Sequence, residues 1–256
     1  MKSPLVIGAM GGSGTRVIAR IVKHASYFMG TNLNTSEDAM DFVEFYDRWI
    51  NCFLRPENHT FDDTYINNHM EKEFADCVAN HRAMIPNQDR SWGWKEPRSI
   101  YLLPFIHKLF PGMKFIHVIR DGRDMAFSPN QNQLKKHGEA VLDSKYESLS
   151  EPVKTAILWD KINLMAAEYG EVKMRGQYLR IRFEDLCHET GITVKLIFDF
   201  LGVDKQANMN TALQEVQPPE SIGRWRDSRD LELIFSIQGY AKEALVRFSY
   251  MQAGSV

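Results

Sequence analysis

"PLVIGAMGGSGTRVIARIV", residues 4–22, carries the reading that sets the fold class. Residues 4–8 are a short apolar run that predicts a buried strand, and a glycine-rich turn follows. From Gly14 the apolar positions change period, so that Val17, Ile18, Ile21, Val22 and Ala25 share one helical face. A strand feeding a glycine turn and then a helix is the layout of a phosphate-binding loop. Gly8, Gly11, Gly12 and Gly14 permit close backbone approach, which lets successive N–H groups converge on an anion. A helix starting at Ser13 to Thr15 turns its free N–H groups and positive dipole end on the same anion. Ser13 and Thr15 add hydroxyls, and Arg16 stands one residue inside the helix. The triphosphate pattern GxxxxGK[ST] is not met, because Thr15 follows Gly14 and Ala9 replaces the first glycine. A turn that merely joins strand to helix is the alternative at this point.

Downstream, strands and helices alternate. Residues 36–54 predict a helix with Phe42, Tyr46, Trp49, Ile50 and Phe53 as its apolar stripe. "SWGWKEP" predicts a short strand ended by Pro97, and "MKFIHVIR", residues 113–120, the strongest strand of the chain. Residues 155–169 predict an apolar helix, "QYLRIRFEDL" a strand, and "TVKLIFDFLGV" a helix stopped by Gly202. Residues 129–150 are polar with little periodicity and predict a long, mobile excursion. No repeat, low-complexity tract or linker divides the chain. The expectation is one α/β domain over residues 1–256, with a parallel sheet flanked by helices on both faces.

Composition narrows the function. With 256 residues, 44% hydrophobic and 25% charged, the chain can bury a full core. A formal net charge of −2 argues against general binding to nucleic acid or a membrane surface, so an anionic ligand needs a local cluster of cations. Cys52, Cys77 and Cys187 are odd in number and lack metal-ligand spacing. They read as buried free thiols in a reducing compartment, with no metal site. The N-terminus is too short in apolar residues for a signal peptide, and no stretch approaches the ~20 apolar residues of a membrane span. A soluble, cytoplasmic protein is expected, in which the sequons at Asn34 and Asn58 carry no weight.

"FIHVIRDGRDMAFS" supplies the second constellation. Arg120 ends a strand, where ligands of open α/β sheets bind, and Ser128 returns after a turn. Such a guanidinium and hydroxyl can clamp a second phosphate, although Arg120, Asp121, Arg123 and Asp124 also suit a surface ion-pair network. Taken with the first loop, the sequence resembles the sulfotransferases that use 3′-phosphoadenosine 5′-phosphosulfate (PAPS). "AMGGSGTR" matches their P-[RK]-S-G-T-T loop for the 5′-phosphosulfate, and "RDGRDMAFS" their R-[DN]-P-R-D…S segment for the 3′-phosphate. "KEPRS", "LFPGMKFIHVIRD", "LRIRFEDLCHETGITVKLIFDFLGV" and "SIGRWRD" resemble further family segments, in order, up to about residue 227.

This resemblance implies a P-loop-like fold and transfer of sulfonate to an acceptor hydroxyl, with release of 3′-phosphoadenosine 5′-phosphate (PAP) and no metal. It places Gly11, Gly12, Ser13, Gly14, Thr15 and Arg16 on the phosphosulfate, and Arg120 with Ser128 on the 3′-phosphate. Arg224 and Arg226 are expected on the cofactor phosphates and Trp225 on the adenine, unless "GRWRDSR" is a solvated loop. Gly12 stands where the family carries Arg or Lys, so another cation must face the leaving phosphate. Lys95 is the first candidate, with Arg16 on the 5′-phosphate. For the general base the choice lies between Glu37 and Asp38. Glu37 is favoured, because "TSED" resembles a helix start with Thr35 as cap and Asp38 near the capping-box position. His24 and His117 read as helix-face and strand residues, and Glu184 and Asp185 as structural. A nucleotide-dependent kinase and a nucleotide-binding module without chemistry are the competing functions. The acceptor pocket would draw on residues 37–54, 55–90 and 129–150, where aromatic and polar side chains mix (Phe42, Tyr46, Trp49, Phe61, Tyr65) and fit a glycan, phenol, lipid or peptide equally.

Overall fold

A computed structural model describes residues 2–55, 63–87, 90–203, 208–252 and 254. At its centre lie four parallel strands, β1 (Leu5–Ala9), β2 (Gly93–Lys95), β3 (Lys114–Ile119) and β4 (Tyr178–Arg182), in the order β2-β1-β3-β4. The helices of the first half are α1 (Thr15–His24), α2 (Val43–Leu54), α3 (Asp63–Ala83), α4 (Leu103–Leu109), α5 (Gly122–Ala126) and α6 (Asn132–Val141). Those of the second half are α7 (Glu151–Tyr169), α8 (Phe183–His188), α9 (Thr190–Leu201), α10 (Met209–Gln214), α11 (Leu231–Tyr240) and α12 (Lys242–Arg247).

β1 pairs with β2 on one side and β3 on the other, and all five of its residues are buried. Its unbroken apolar run follows from that burial, since each face meets a core. Val6 joins Phe115, Trp94, Phe42 and Phe74 on one side of the sheet. Leu5, Ile7 and Ala9 point to the other, against Ile18, Val22, Ile197 and Phe198 of α1 and α9. The chain leaves β1 toward β2 and returns to β3 on the opposite flank. The C-terminal ends of β1 and β3 therefore bracket a topological switch point, where α/β sheets bind ligands.

Several elements differ from the sequence expectation. The helix expected over 36–54 begins only at Val43, after a 3-10 turn at Met40–Phe42. Asn34 is the cause: its Oδ1 accepts the N–H groups of Ser36 and Asp38, and Glu37 takes a φ of 62° between them. The "TSED" stretch is thus a side-chain-stabilised turn, and Asp38 caps no helix. Residues 129–150 are no featureless excursion, since they contain α6 and a 3-10 turn at Ser144–Tyr146. β4 ends at Arg182 and "FEDL" opens α8. The helix expected from residue 155 starts at Glu151, and α9 stops at a left-handed Gly202 as expected. Phe61 and the Asn58 sequon lie outside the described residues. Cys52, Cys77 and Cys187 are free thiols, but Cys52 and Cys77 are half-buried where full burial was expected. Among the described residues, no helix is long and apolar enough to cross a membrane, and no His/Cys/Asp/Glu cluster could hold a metal ion.

Candidate active site

A cleft of about 720 Å³ opens at the C-terminal ends of β1, β2 and β3. Each strand delivers one component: β1 runs into the loop Met10–Gly14, β2 ends in Lys95, and β3 leads directly to Arg120.

The loop is held by Ser13, whose N–H and Oγ both bond to the Met10 carbonyl at 3.3 and 2.7 Å. Gly12 and Gly14 adopt φ of 93° and 84°, which an L side chain resists. No side chain caps α1, which leaves the N–H groups of Thr15 and Arg16 to an anion, while that of Val17 bonds to the Gly14 carbonyl. Gly14 also lies on the Phe183 ring, where a Cβ would stand 2.2 Å from Cδ2. Gly14→Ala is therefore expected to cost roughly 2–4 kcal/mol through combined strain and overpacking. A urea midpoint unchanged from wild type would contradict this packing.

Thr15 and Arg16 line the cleft. Arg16 is exposed and donates only to the Thr35 carbonyl, at 3.3 Å, so no carboxylate among the described residues neutralises it. Lys95, 2% exposed, donates to the Ser36 carbonyl at 2.8 Å and to Asp38 Oδ1. Asp38 Oδ2 accepts from Asn34 Nδ2 at 2.9 Å, and Asp38, Ser36 and Asn34 all line the cleft.

Glu37, favoured over Asp38 on sequence, is placed differently. Its carboxylate meets Arg20 Nε at 2.7 Å and Lys23 Nζ at 2.6 Å, and it does not line the cleft. Burial pushes the Glu37 carboxyl up, but the bonds from Lys23 and Arg20 outweigh that and hold it below the usual carboxylate range. A depressed carboxyl tied to two cations is a poor proton acceptor. His24 does not line the cleft and bonds to Glu215 at 2.9 Å. His117 sits inside the sheet between Tyr178 and Asn163, its pKa pushed down to about 3 by burial, so it stays neutral.

Arg120 is a second buried cation of the cleft, 5% exposed. The indole N–H of Trp159 holds its carbonyl at 3.0 Å. Nη1 reaches the Gly12 carbonyl at 3.5 Å, and Nη2 donates to Asp124 at 3.3 Å, to Ser221 Oγ at 3.1 Å and to the Ser221 carbonyl. Its Nε is buried without a hydrogen-bond partner. The Arg120–Asp124 and Arg123–Asp121 ion pairs do form, but in the interior, with all four residues no more than 7% exposed. They are not a surface network.

Ser128 does not line the cleft, and its Oγ accepts the Asn130 N–H at 3.2 Å. Ser221, which the sequence did not single out, stands beside Arg120 instead. Asp124 brings it there by accepting the N–H groups of Gly223 at 2.8 Å and Trp225 at 3.3 Å. Arg224 joins them, its Nε on the Ser221 carbonyl at 3.2 Å. Burial and then the charge of Arg120 lower the Arg224 pKa. Trp225 does not line the cleft; the Arg123 guanidinium lies over its ring at 4.1 Å and that of Arg226 at 4.9 Å. The wall also includes Asn130, Asn132, Gln133 and Lys136 around the start of α6, Arg98, the apolar Met40, Val43 and Pro97, and the segment from Gln214 to Gln217 with Pro219.

The sulfotransferase family model matches residues 4–207, and the protein belongs to the sulfotransferase family. No curated protein sequence matches it. Among solved structures, sulfotransferase STF9 from Mycobacterium avium is similar with a TM-score of 0.56 at 12% identity, covering 96% of this chain and 77% of that one. The sulfotransferase domain of the curacin biosynthetic pathway gives 0.55 at 12% identity and covers 99% of each chain. That of the Synechococcus PCC 7002 olefin synthase gives 0.51 at 16% identity, covering 94% of this chain and 96% of that one. At these identities the likeness establishes the fold, a central parallel sheet between helices, while the family supplies sulfonate transfer as the class of reaction.

Proposed function

We propose that this chain transfers sulfonate from PAPS to an acceptor hydroxyl. Arg120 carries the reading: a guanidinium buried at a strand end, beside a glycine loop, with its Nε left unsatisfied. A buried donor without a partner is costly, and an anion received there removes the penalty. The uncapped end of α1 and the unneutralised Arg16 fit an anion in the same cleft. The residues present therefore fit a donor with two anionic ends.

Gly12, Gly14 and Thr15 hold the 5′ end through backbone N–H groups, with Arg16 beside them and Ser13 fixing the loop from within. Arg120 and Arg224 hold the 3′-phosphate. Ser221, already on Arg120, is in place to give the hydroxyl that the sequence assigned to Ser128. Trp225 and Arg226 act from behind, Trp225 stacking on Arg123 and Arg226 on Trp225, and so fix the segment that carries Ser221. When bound, the donor supplies a sulfonate on a phosphate leaving group. Lys95 places positive charge where that phosphate gains negative charge, the task the missing cation at Gly12 would have performed. Asp38, fixed by Lys95 and Asn34, takes the proton of the acceptor hydroxyl. The free cysteines fit a reducing, cytoplasmic setting.

Incubation with radiolabelled PAPS and an acceptor mixture tests the activity. Label on an acceptor, with an equal amount of PAP released, is the expected result, and label retained on the donor would contradict it. Arg120→Ala is expected to weaken PAP binding by about 1.5–3 kcal/mol, the range for a hydrogen bond to a charged group. Calorimetry showing undiminished affinity would remove Arg120 from the donor site.

A further inference from the structure

We infer that Tyr250 is a positioning residue for the donor, reaching back from the C-terminal tail to fix the corner between β3 and α5 that carries Arg120. This rests on the reading above, in which Arg120 receives the 3′-phosphate. Tyr250 itself lines no part of the cleft, so it acts through the backbone.

Both peptide groups that flank the Arg120 Cα are held by side chains from distant parts of the chain. Tyr250 Oη donates to the Ile119 carbonyl at 3.3 Å and to Glu184 Oε2 at 2.7 Å. The other oxygen of Glu184 accepts the Asp121 N–H at 2.9 Å. Between them, the Arg120 carbonyl takes the Trp159 indole N–H, and that ring packs so closely under Gly122 that a Cβ there would stand 2.4 Å from Cε3. A guanidinium follows its Cα, so fixing both peptides sets where the donor atoms of Arg120 stand. The Tyr250 carbonyl adds a second hold by accepting from Arg123 Nη2 at 2.8 Å. Arg123 in turn carries the Trp225 ring of the segment that brings Ser221 to Arg120.

The tail is shaped to present this side chain. α12 ends at Arg247, Ser249 takes a φ of 61°, and the N–H groups of Tyr250 and Met251 both return to the Leu245 carbonyl at 2.8 and 3.1 Å. A non-glycine residue in the left-handed region is strained and persists where its surroundings hold it. The Tyr250 ring lies 6.2 Å from that of Trp159, with the Arg182 guanidinium 4.4 Å from its centroid. Burial, and then the charge of Glu184, push the phenol well above its ordinary range, so it keeps the proton it donates.

Calorimetry with PAP and with adenosine 5′-monophosphate (AMP) tests the role, because the two ligands differ only in the 3′-phosphate. Tyr250→Phe keeps the ring and the main-chain carbonyl and removes the hydroxyl. It is expected to lower PAP affinity about tenfold and to leave AMP affinity unchanged. In an Arg120→Ala background the same substitution is expected to cost nothing further, since a residue that acts through Arg120 is not additive with it. Glu184→Leu withdraws the acceptor from both partners and is expected to lower the PAP-to-AMP affinity ratio likewise. It carries the comparison where Tyr250→Phe does not fold. A merely structural role would lower both affinities together. An unchanged ratio in either folded variant, or a full additional loss in the Arg120→Ala background, overturns the positioning role and leaves the donor reading standing. A wild-type chain that binds PAP no more tightly than AMP ends both.

Discussion

Lys95→Met is expected to lower kcat for sulfonate transfer by about 10²–10³, the cost of removing one preorganised charge donor from a transition state. The side chain leaves the end of β2, is 2% exposed, and is fixed by the Ser36 carbonyl and Asp38. Fixed, buried charge of this kind needs no reorganisation when the leaving phosphate gains its negative charge. Methionine keeps the length and the packing and removes only the ammonium. Because Asp38 then loses its counter-charge, thermal unfolding should be measured alongside, so that a loss of fold is told apart from a loss of turnover. PAP affinity is expected to change much less than kcat. Turnover equal to wild type would take Lys95 out of the mechanism and leave Arg16 as the remaining candidate.

The second large effect concerns the proton acceptor. Asp38→Asn is expected to reduce kcat by about 10²–10⁴, the usual contribution of a positioned general base. It should leave PAP affinity and the unfolding temperature nearly unchanged, a split from kcat that a purely structural role for Asp38 does not produce. Asparagine retains an oxygen toward Lys95, so the ammonium keeps an acceptor. Glu37→Gln is the control: it is expected to leave kcat nearly unchanged and to loosen only the contact with Arg20 and Lys23. The reverse outcome, with Glu37→Gln inactive and Asp38→Asn active, would restore the residue that sequence alone favoured.

That reversal shows where the sequence stops informing. The strand, loop and α1 were legible because the apolar period changes at Gly14, and Arg120 because an arginine directly follows the most strand-like segment. The choice between Glu37 and Asp38 was not legible, since it depends on the turn that Asn34 imposes and on which neighbour then faces inward. α6 was missed for a different reason. Its buried positions are Gln133, His137 and Gly138, held by hydrogen bonds to Tyr101 and Asn51, and only Leu134 and Val141 of this helix pack on the core, so the hydrophobic period is faint. Ser221 could not have been paired with Arg120 from spacing, because the contact spans 101 positions and depends on Asp124 gathering the N–H groups of Gly223 and Trp225. The motif points Trp225 toward the adenine, whereas its ring carries the Arg123 and Arg226 guanidinium groups.

The donor remains the centre of the account, and competitive titration calorimetry of the wild-type chain with PAP, ATP and GTP examines it most directly. In the proposed reading Arg120, Arg224 and Ser221 receive a separate 3′-phosphate, and Thr15 stands where a triphosphate loop has its lysine. PAP is therefore expected to bind at least about tenfold more tightly than either triphosphate, from one additional charge-assisted contact set. Tighter binding of ATP or GTP, with PAP unable to displace it, would contradict the assignment and make the cleft a triphosphate site.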